Sequence, residues 1–155
     1  MKFVIEKNDS LLWTERKKQA SLPALSKKVA SSLLEKKEPF CLWLQGEIGA
    51  GKTTFTKALF EQLGLSPDSP VTSPTYTYLV EYKIGGKWYA HMDFYRFTRG
   101  VNFEEEEMLG VRDYSGFILE WPSHVLLPES MAATHKLEIK SENENERVYS
   151  FYQSL

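Results

Sequence analysis

An α/β fold is what this sequence of 155 residues predicts, and three stretches carry that prediction. In the first, the apolar run Phe40-Cys41-Leu42-Trp43-Leu44 leads into a glycine-rich turn, after which Phe55, Ala58, Leu59, Gln62 and Leu63 fall at i, i+3, i+4, i+7 and i+8: a buried strand, a loop and one face of a helix. In the second, Gly116-Phe117-Ile118-Leu119-Glu120-Trp121-Pro122 is an apolar triplet closed by an acid and stopped by proline, as in a buried parallel strand. In the third, β-branched and aromatic residues flank Gly85-Gly86, a two-residue turn between Tyr76–Lys83 and Lys87–Tyr95, which reads as a β-hairpin. A chain of this length, 42% apolar, has material for one compact domain over residues 1–155.

Before the first of these stretches, Lys2 to Glu6 alternates weakly and reads as an opening strand. Ser21 suits a helix N-cap, Pro23 is tolerated in the first turn, and Leu22, Leu25, Val29 and Leu33 recur at helical spacing as far as the charged 35–38 segment. The single cysteine, Cys41, excludes an intramolecular disulfide and reads as a small buried hydrophobe. A net charge of -2 and a pI near 6.0 give no global basic field, which argues against a protein that binds RNA by itself. The N-terminus lacks a secretory apolar region and no run is long enough to span a membrane, so a cytoplasmic location is expected.

Gly46-Glu47-Ile48-Gly49-Ala50-Gly51-Lys52-Thr53 matches G-x-x-x-x-G-K-T, the phosphate-binding P-loop. Glycines let the backbone wrap a polyphosphate so that successive N–H groups point inward, Lys52 reaches the terminal phosphates, and the Thr53 hydroxyl ligates Mg²⁺. Gly64 suits the residue after a helix, so the helix should span about Lys52 to Leu63, its positive end toward the phosphates.

The proline- and serine-rich Ser66 to Thr75 segment predicts an extended connection, in the place where several nucleotide hydrolases keep a loop that senses the γ-phosphate through a hydroxyl. Thr75 is either that sensor or an ordinary loop threonine. His91, Asp93 and Tyr95 alternate along the second hairpin strand and share a face while it lasts. Asp93 is a candidate for the Mg²⁺ shell or for orienting water, with a turn-capping aspartate as the alternative. His91 reads more simply as a satisfied core or rim histidine than as a catalytic one. Asn102 to Gly110 predicts a short helix with an asparagine cap and acids in its first turn, which explains that acidic run without a ligand. Glu120 takes the place of the acid that ends a Walker B strand, where aspartate is usual; a purely structural acid is the alternative. Lys136–Lys140 and Arg147–Tyr152 alternate around a polar turn and predict a closing hairpin, in which nothing suggests chemistry.

Gly46 to Thr54, Ser73-Pro74-Thr75-Tyr76, His91-Met92-Asp93-Phe94-Tyr95-Arg96 and Glu120-Trp121-Pro122 stand in an order and spacing that resemble the bacterial TsaE (YjeE) family. These are small P-loop ATPases required for threonylcarbamoyl modification of adenosine in tRNA, and the resemblance covers about residues 22 to 128. It implies a P-loop NTPase-like three-layer α/β fold with a mixed, mainly parallel central sheet and antiparallel hairpins. ATP and Mg²⁺ are the implied cofactors, and TsaD and TsaB the implied partner subunits, through which tRNA is met only indirectly. Residues 46 to 54 would hold phosphate, with Lys52 and Thr53 matching the family's phosphate and metal ligands. Thr75 matches its switch threonine, Asp93 and Glu120 its essential acids, and Trp121 the tryptophan beside the nucleotide. Family members often place a threonine near the start of the first helix, where this chain has Leu22, so no nucleotide contact is carried over there.

Two other readings use the same residues. A small-molecule P-loop kinase would draw on Asp93 with Arg96, Arg99 and Arg112, although the sequence shows no arginine-bearing lid. A nucleotide-gated adaptor would bind without turnover. A regulatory GTPase would need an Asn-Lys-x-Asp segment, which is absent.

Overall fold

Strand β2 (Phe40–Gln45) is apolar almost throughout because both of its neighbours are parallel strands: β6 (Tyr114–Glu120) on one side and β8 (His135–Ser141) on the other. A strand inside a parallel sheet is covered on both faces, which removes the alternation seen at half-exposed strands. The computed structural model describes residues 5–36, 39–97, 100–103, 109 and 112–155. Its main sheet has seven strands in the order β1-β9-β8-β2-β6-β4-β3. The central four, β8, β2, β6 and β4 (Lys87–Asp93), are parallel, and antiparallel partners complete each side. On one side β3 (Leu79–Ile84) pairs with β4 through Gly85-Gly86, both at positive φ, the backbone a two-residue hairpin turn demands. On the other, β8 pairs with β9 (Glu146–Ser154), and β9 with β1 (Asp9–Lys18).

Helices α1 (Leu22–Leu33) and α2 (Lys52–Leu63) cover one face. Leu25, Val29 and Leu33 of α1 and Phe55, Leu59 and Phe60 of α2 close on Leu42, Leu44, Ile118, Leu137 and Ile139. The expected bounds of α2 hold. Gly51 (φ 106) precedes it and Gly64 (φ 114) ends it, with the Leu65 N–H reaching the Phe60 carbonyl at 2.9 Å in a glycine-terminated helix end. On the opposite face Cys41, Ala90, Met92 and Leu119 are covered by Phe94, Phe103, Val125 and Met131. That third layer is, among the described residues, built of turns, 3-10 segments and the paired two-residue strands β5 (Val101–Asn102) and β7 (Val125–Leu126).

Three sequence expectations change. Of the proposed opening strand, residues 2–4 lie outside the described residues, and Ile5 and Glu6 are not in a strand. The first strand is β1, where Trp13 packs on Phe151 at 5.3 Å and Lys28 of α1 reaches Glu15 at 2.6 Å. Ser21 does stand at the N-cap of α1, but its side chain makes no capping hydrogen bond. Asn102 lies in β5 instead of capping a helix; residues 104–108 and 110 of that proposed helix are outside the described residues.

One buried ring gives the fold a pH dependence. His135 stacks on Phe151 at 5.3 Å and 5°, and burial, with the Lys36 charge adding to it, lowers its pKa from 6.5 to about 4. Between those two values the unfolded chain binds more protons than the folded one, so stability falls as pH falls, and is fully present only above the unfolded value. The loss is bounded at ~3 kcal/mol. Urea denaturation across that pH range should show the decline, and His135→Gln should flatten it; a parallel decline in both proteins would assign the effect elsewhere.

Candidate functional site

Strand order brings the site together. β2, β6 and β4 are neighbours and parallel, so the loop after Gln45, Glu120 at the end of β6 and Asp93 at the end of β4 all stand at one edge of the sheet, with Leu44 opposite Glu120 and Glu120 opposite Asp93. Ligands of open α/β sheets bind at this carboxyl edge. Gly46 is pinned against β8, where a Cβ would come within 2.6 Å of the Ile139 carbonyl oxygen, and the loop then turns through Gly49 (φ 79) and Gly51 (φ 106) into α2.

Lys52, the first residue of α2, is only 7% exposed, although a cation beside a glycine-rich turn is ordinarily solvated. Its ammonium donates to the Gly46 carbonyl at 2.6 Å and the Glu47 carbonyl at 3.1 Å, and lies 4.9 Å from the Trp121 ring centre. Burial lowers its pKa, while the charges of Glu120, Asp93 and Glu47 act in the opposite sense.

A cleft of about 340 Å³ opens over this edge, lined by Ile48, Gly49, Gly51, Lys52, Thr53, Thr54, Thr75, Asp93, Glu120 and Trp121 among others. Residues far apart in sequence thus meet as the motif spacing anticipates. The other three P-loop positions lie elsewhere: Ala50 is 2% exposed, and Gly46 and Glu47 line a separate recess with Gln45 and Glu138. Thr75 Oγ1 donates to Asp93 Oδ2 at 2.9 Å, and Ser73 and Thr75 share a 2.8 Å hydroxyl bond. The other Asp93 oxygen accepts the Tyr95 N–H at 2.8 Å. Tyr95 lies past the end of β4 and packs on Trp121 at 5.0 Å. Trp121 itself sits at φ 55, ψ 46, a costly backbone for a bulky residue, held in place by Tyr95 and His124.

Among the described residues no three His, Cys, Asp or Glu side chains gather as a metal cluster. Mg²⁺ does not require one: it takes one or two carboxylates, with phosphates and water completing its shell. One hydroxyl, Thr53, with the carboxylates of Asp93 and Glu120 in the same cleft, is an all-oxygen donor set of that kind.

Sequence reading missed two features. A second cleft of about 800 Å³ lies beyond Gly51 and Thr54, between the turn leading into α1 (Gln19, Leu22) and the β8–β9 turn with the start of β9 (Asn143, Arg147). Arg147 donates to the Ala50 carbonyl at 3.0 Å, so the closing hairpin, in which no chemistry was expected, borders the P-loop. No motif announces a contact between residues 97 positions apart. His91, read as a core histidine, is buried and bonds Glu120 at 2.9 Å. Of the arginines a kinase would use, Arg96 stacks on Tyr76 at 3.9 Å. Arg112 is committed to Glu81 at 2.7 Å and to Trp88, at the opposite ends of the strands, and Arg99 lies outside the described residues.

The chain is similar to known proteins in family, sequence and fold. The family model described as "Threonylcarbamoyl adenosine biosynthesis protein TsaE" matches residues 16–149. The Haemophilus influenzae tRNA threonylcarbamoyladenosine biosynthesis protein TsaE is 37% identical over 118 residues, 71% of this chain and 72% of that one. The protein of the same name from Aquifex aeolicus is 34% identical over 126 residues, 77% and 82% of the two chains. Among solved structures, Bacillus subtilis YdiB superposes with a TM-score of 0.68 at 27% identity, covering 95% of this chain and 88% of that one.

Proposed function

Since the chain belongs to the TsaE family and so takes part in threonylcarbamoyladenosine biosynthesis, we propose that it does so as a Mg²⁺-dependent ATPase, slow alone and completed by the TsaD and TsaB subunits. The observation that carries this reading is the gathering of Lys52, Thr53, Thr75, Asp93 and Glu120 around one cleft at the carboxyl edge of three adjacent strands. The backbone amides of the loop and the N-terminus of α2 cradle phosphate oxygens. Lys52 exchanges its bonds to the Gly46 and Glu47 carbonyls for phosphate, and Thr75 exchanges Asp93 for the terminal phosphate or its metal. Mg²⁺, held by Thr53 with Asp93 and Glu120, would neutralise charge on the transferring phosphoryl group. The Asp93 carboxylate, with Thr75 moved off one of its oxygens, would orient the attacking water from its place in the metal's shell. The larger cleft beyond Thr54, bordered by Arg147, would have room for the nucleoside.

Partner dependence has a physical basis. Among the described residues lining the 340 Å³ cleft, Lys52 is the sole cation, and a missing arginine finger costs ~10³ to 10⁵ in phosphoryl-transfer rate. The test is steady-state ATP hydrolysis by the purified chain, then with TsaD and TsaB from the same source. Slow turnover that rises on adding both subunits is the expected result. Fast hydrolysis by the lone chain, or no rise despite demonstrated binding of both subunits, refutes the partner-completed site. Reaching tRNA only through its partners, and working in the cytoplasm, complete the proposal; no helix of the described chain is long and apolar enough to cross a membrane.

A further inference from the structure

We propose that His91 is a positioning residue for Glu120: its Nε2–H holds one carboxylate oxygen so that the other stays directed to the cleft. The inference rests on the ATPase reading above and adds a residue to it. His91 is fully buried on β4, two residues before Asp93, and its Nε2 lies 2.9 Å from Glu120 Oε2 across the β4–β6 pair. Glu120 is itself only 2% exposed. A histidine that merely filled the core would have both nitrogens satisfied or would be replaceable by an apolar ring. Among the described residues Nδ1 is buried with no hydrogen-bond partner, so Glu120 is the polar contact that gives the imidazole its place. The tautomer follows from the bonding. A proton on Nδ1 would be a buried donor with nothing to donate to, whereas a proton on Nε2 meets a carboxylate. The Phe60 ring stands T-shaped to the imidazole, with centroids 6.5 Å apart at 82°, and Phe60 belongs to α2, the helix that starts at Lys52. Glu120 is thereby fixed relative to the loop that holds phosphate, by a contact from the helix side as well as by its own strand.

A carboxylate with one oxygen tied cannot swing, which is what a residue serving a metal shell or a water requires. Groups in this supporting position are worth ~10- to 100-fold in metal affinity or activity when removed. The experiment is calorimetric titration of ATP into the purified chain over a series of Mg²⁺ concentrations, with urea denaturation of each variant alongside. His91→Phe, which keeps a ring and removes the donor, should need ~10- to 100-fold more Mg²⁺ for half-maximal binding, and His91→Gln, which restores a donor at similar reach, should recover most of that loss. The His91→Phe and Glu120→Gln double variant should shift no further than the larger single variant, because the histidine acts through the acid. Unchanged Mg²⁺ dependence in folded His91→Phe, or shifts that simply add in the double variant, overturns the positioning role while leaving the ATPase reading standing. If His91→Phe does not fold, His91→Gln against the shorter His91→Asn decides: loss in the asparagine variant alone supports the role, and equal behaviour overturns it. A parent chain that binds no ATP at any Mg²⁺ concentration overturns the ATPase reading, and the positioning role with it.

Discussion

Lys52→Ala is expected to weaken ATP binding by ~100-fold or more, since charge-assisted hydrogen bonds to an anion are worth ~1.5 to 3 kcal/mol each and an ammonium at this position makes more than one. The burial of Lys52 adds a second effect that its place in the motif does not suggest. In the ligand-free chain the ammonium satisfies the carbonyls of Gly46 and Glu47 at 2.6 and 3.1 Å, so truncation leaves two acceptors short and costs ~1 to 3 kcal/mol of stability. The two effects separate experimentally. Calorimetric titration with ATP reads the first, urea denaturation the second, and Lys52→Met, which keeps the apolar stem over Trp121, should recover packing without recovering affinity. Full ATP affinity in a folded Lys52→Ala chain would remove the phosphate-binding assignment altogether.

Glu120→Gln is expected to slow hydrolysis in the proposed complex with TsaD and TsaB by on the order of 10² or more, because metal stabilisation of the transferring phosphoryl group is worth several kcal/mol and depends on the carboxylates that hold the metal. Its effect on folding should be small, because the amide oxygen can still accept from His91 Nε2 at the end of β6. Single-turnover hydrolysis beside urea denaturation measures both. A variant that keeps the parent rate would leave Asp93 as the acid that matters and reduce Glu120 to the structural role that an apolar strand ending in an acid equally allows. A variant that fails to fold would assign the pair with His91 to stability.

The sheet and its site were legible in the sequence to different depths. β2, the loop and α2 were read nearly to the residue because strand, turn and helix signals are contiguous there and the phosphate chemistry constrains each position. The Gly85-Gly86 hairpin was legible for the same reason, although β3 begins at Leu79, three residues later than its composition suggests. β1 was not read. It is an edge strand with a register shift between Leu11 and Trp13 and a half made of charged residues, so its alternation is broken where a reader would look for it.

What the sequence determined by itself is the inventory: a P-loop with its lysine and threonine, a loop threonine, two strand-end acids and a tryptophan, in an order that resembles one family. What only the tertiary structure decided is who touches whom. Thr75 rests on Asp93 at 2.9 Å, His91 on Glu120 at 2.9 Å, Lys52 on carbonyls of its own loop, and Arg147 on Ala50 at 3.0 Å. The reason is that local patterns follow from torsional preference and periodicity within a few residues, whereas these contacts are fixed by strand order and register. The shared cleft exists because β2, β6 and β4 lie side by side and parallel with Asp93 opposite Glu120, and a one-residue slip in that register would turn an acid to the other face of the sheet.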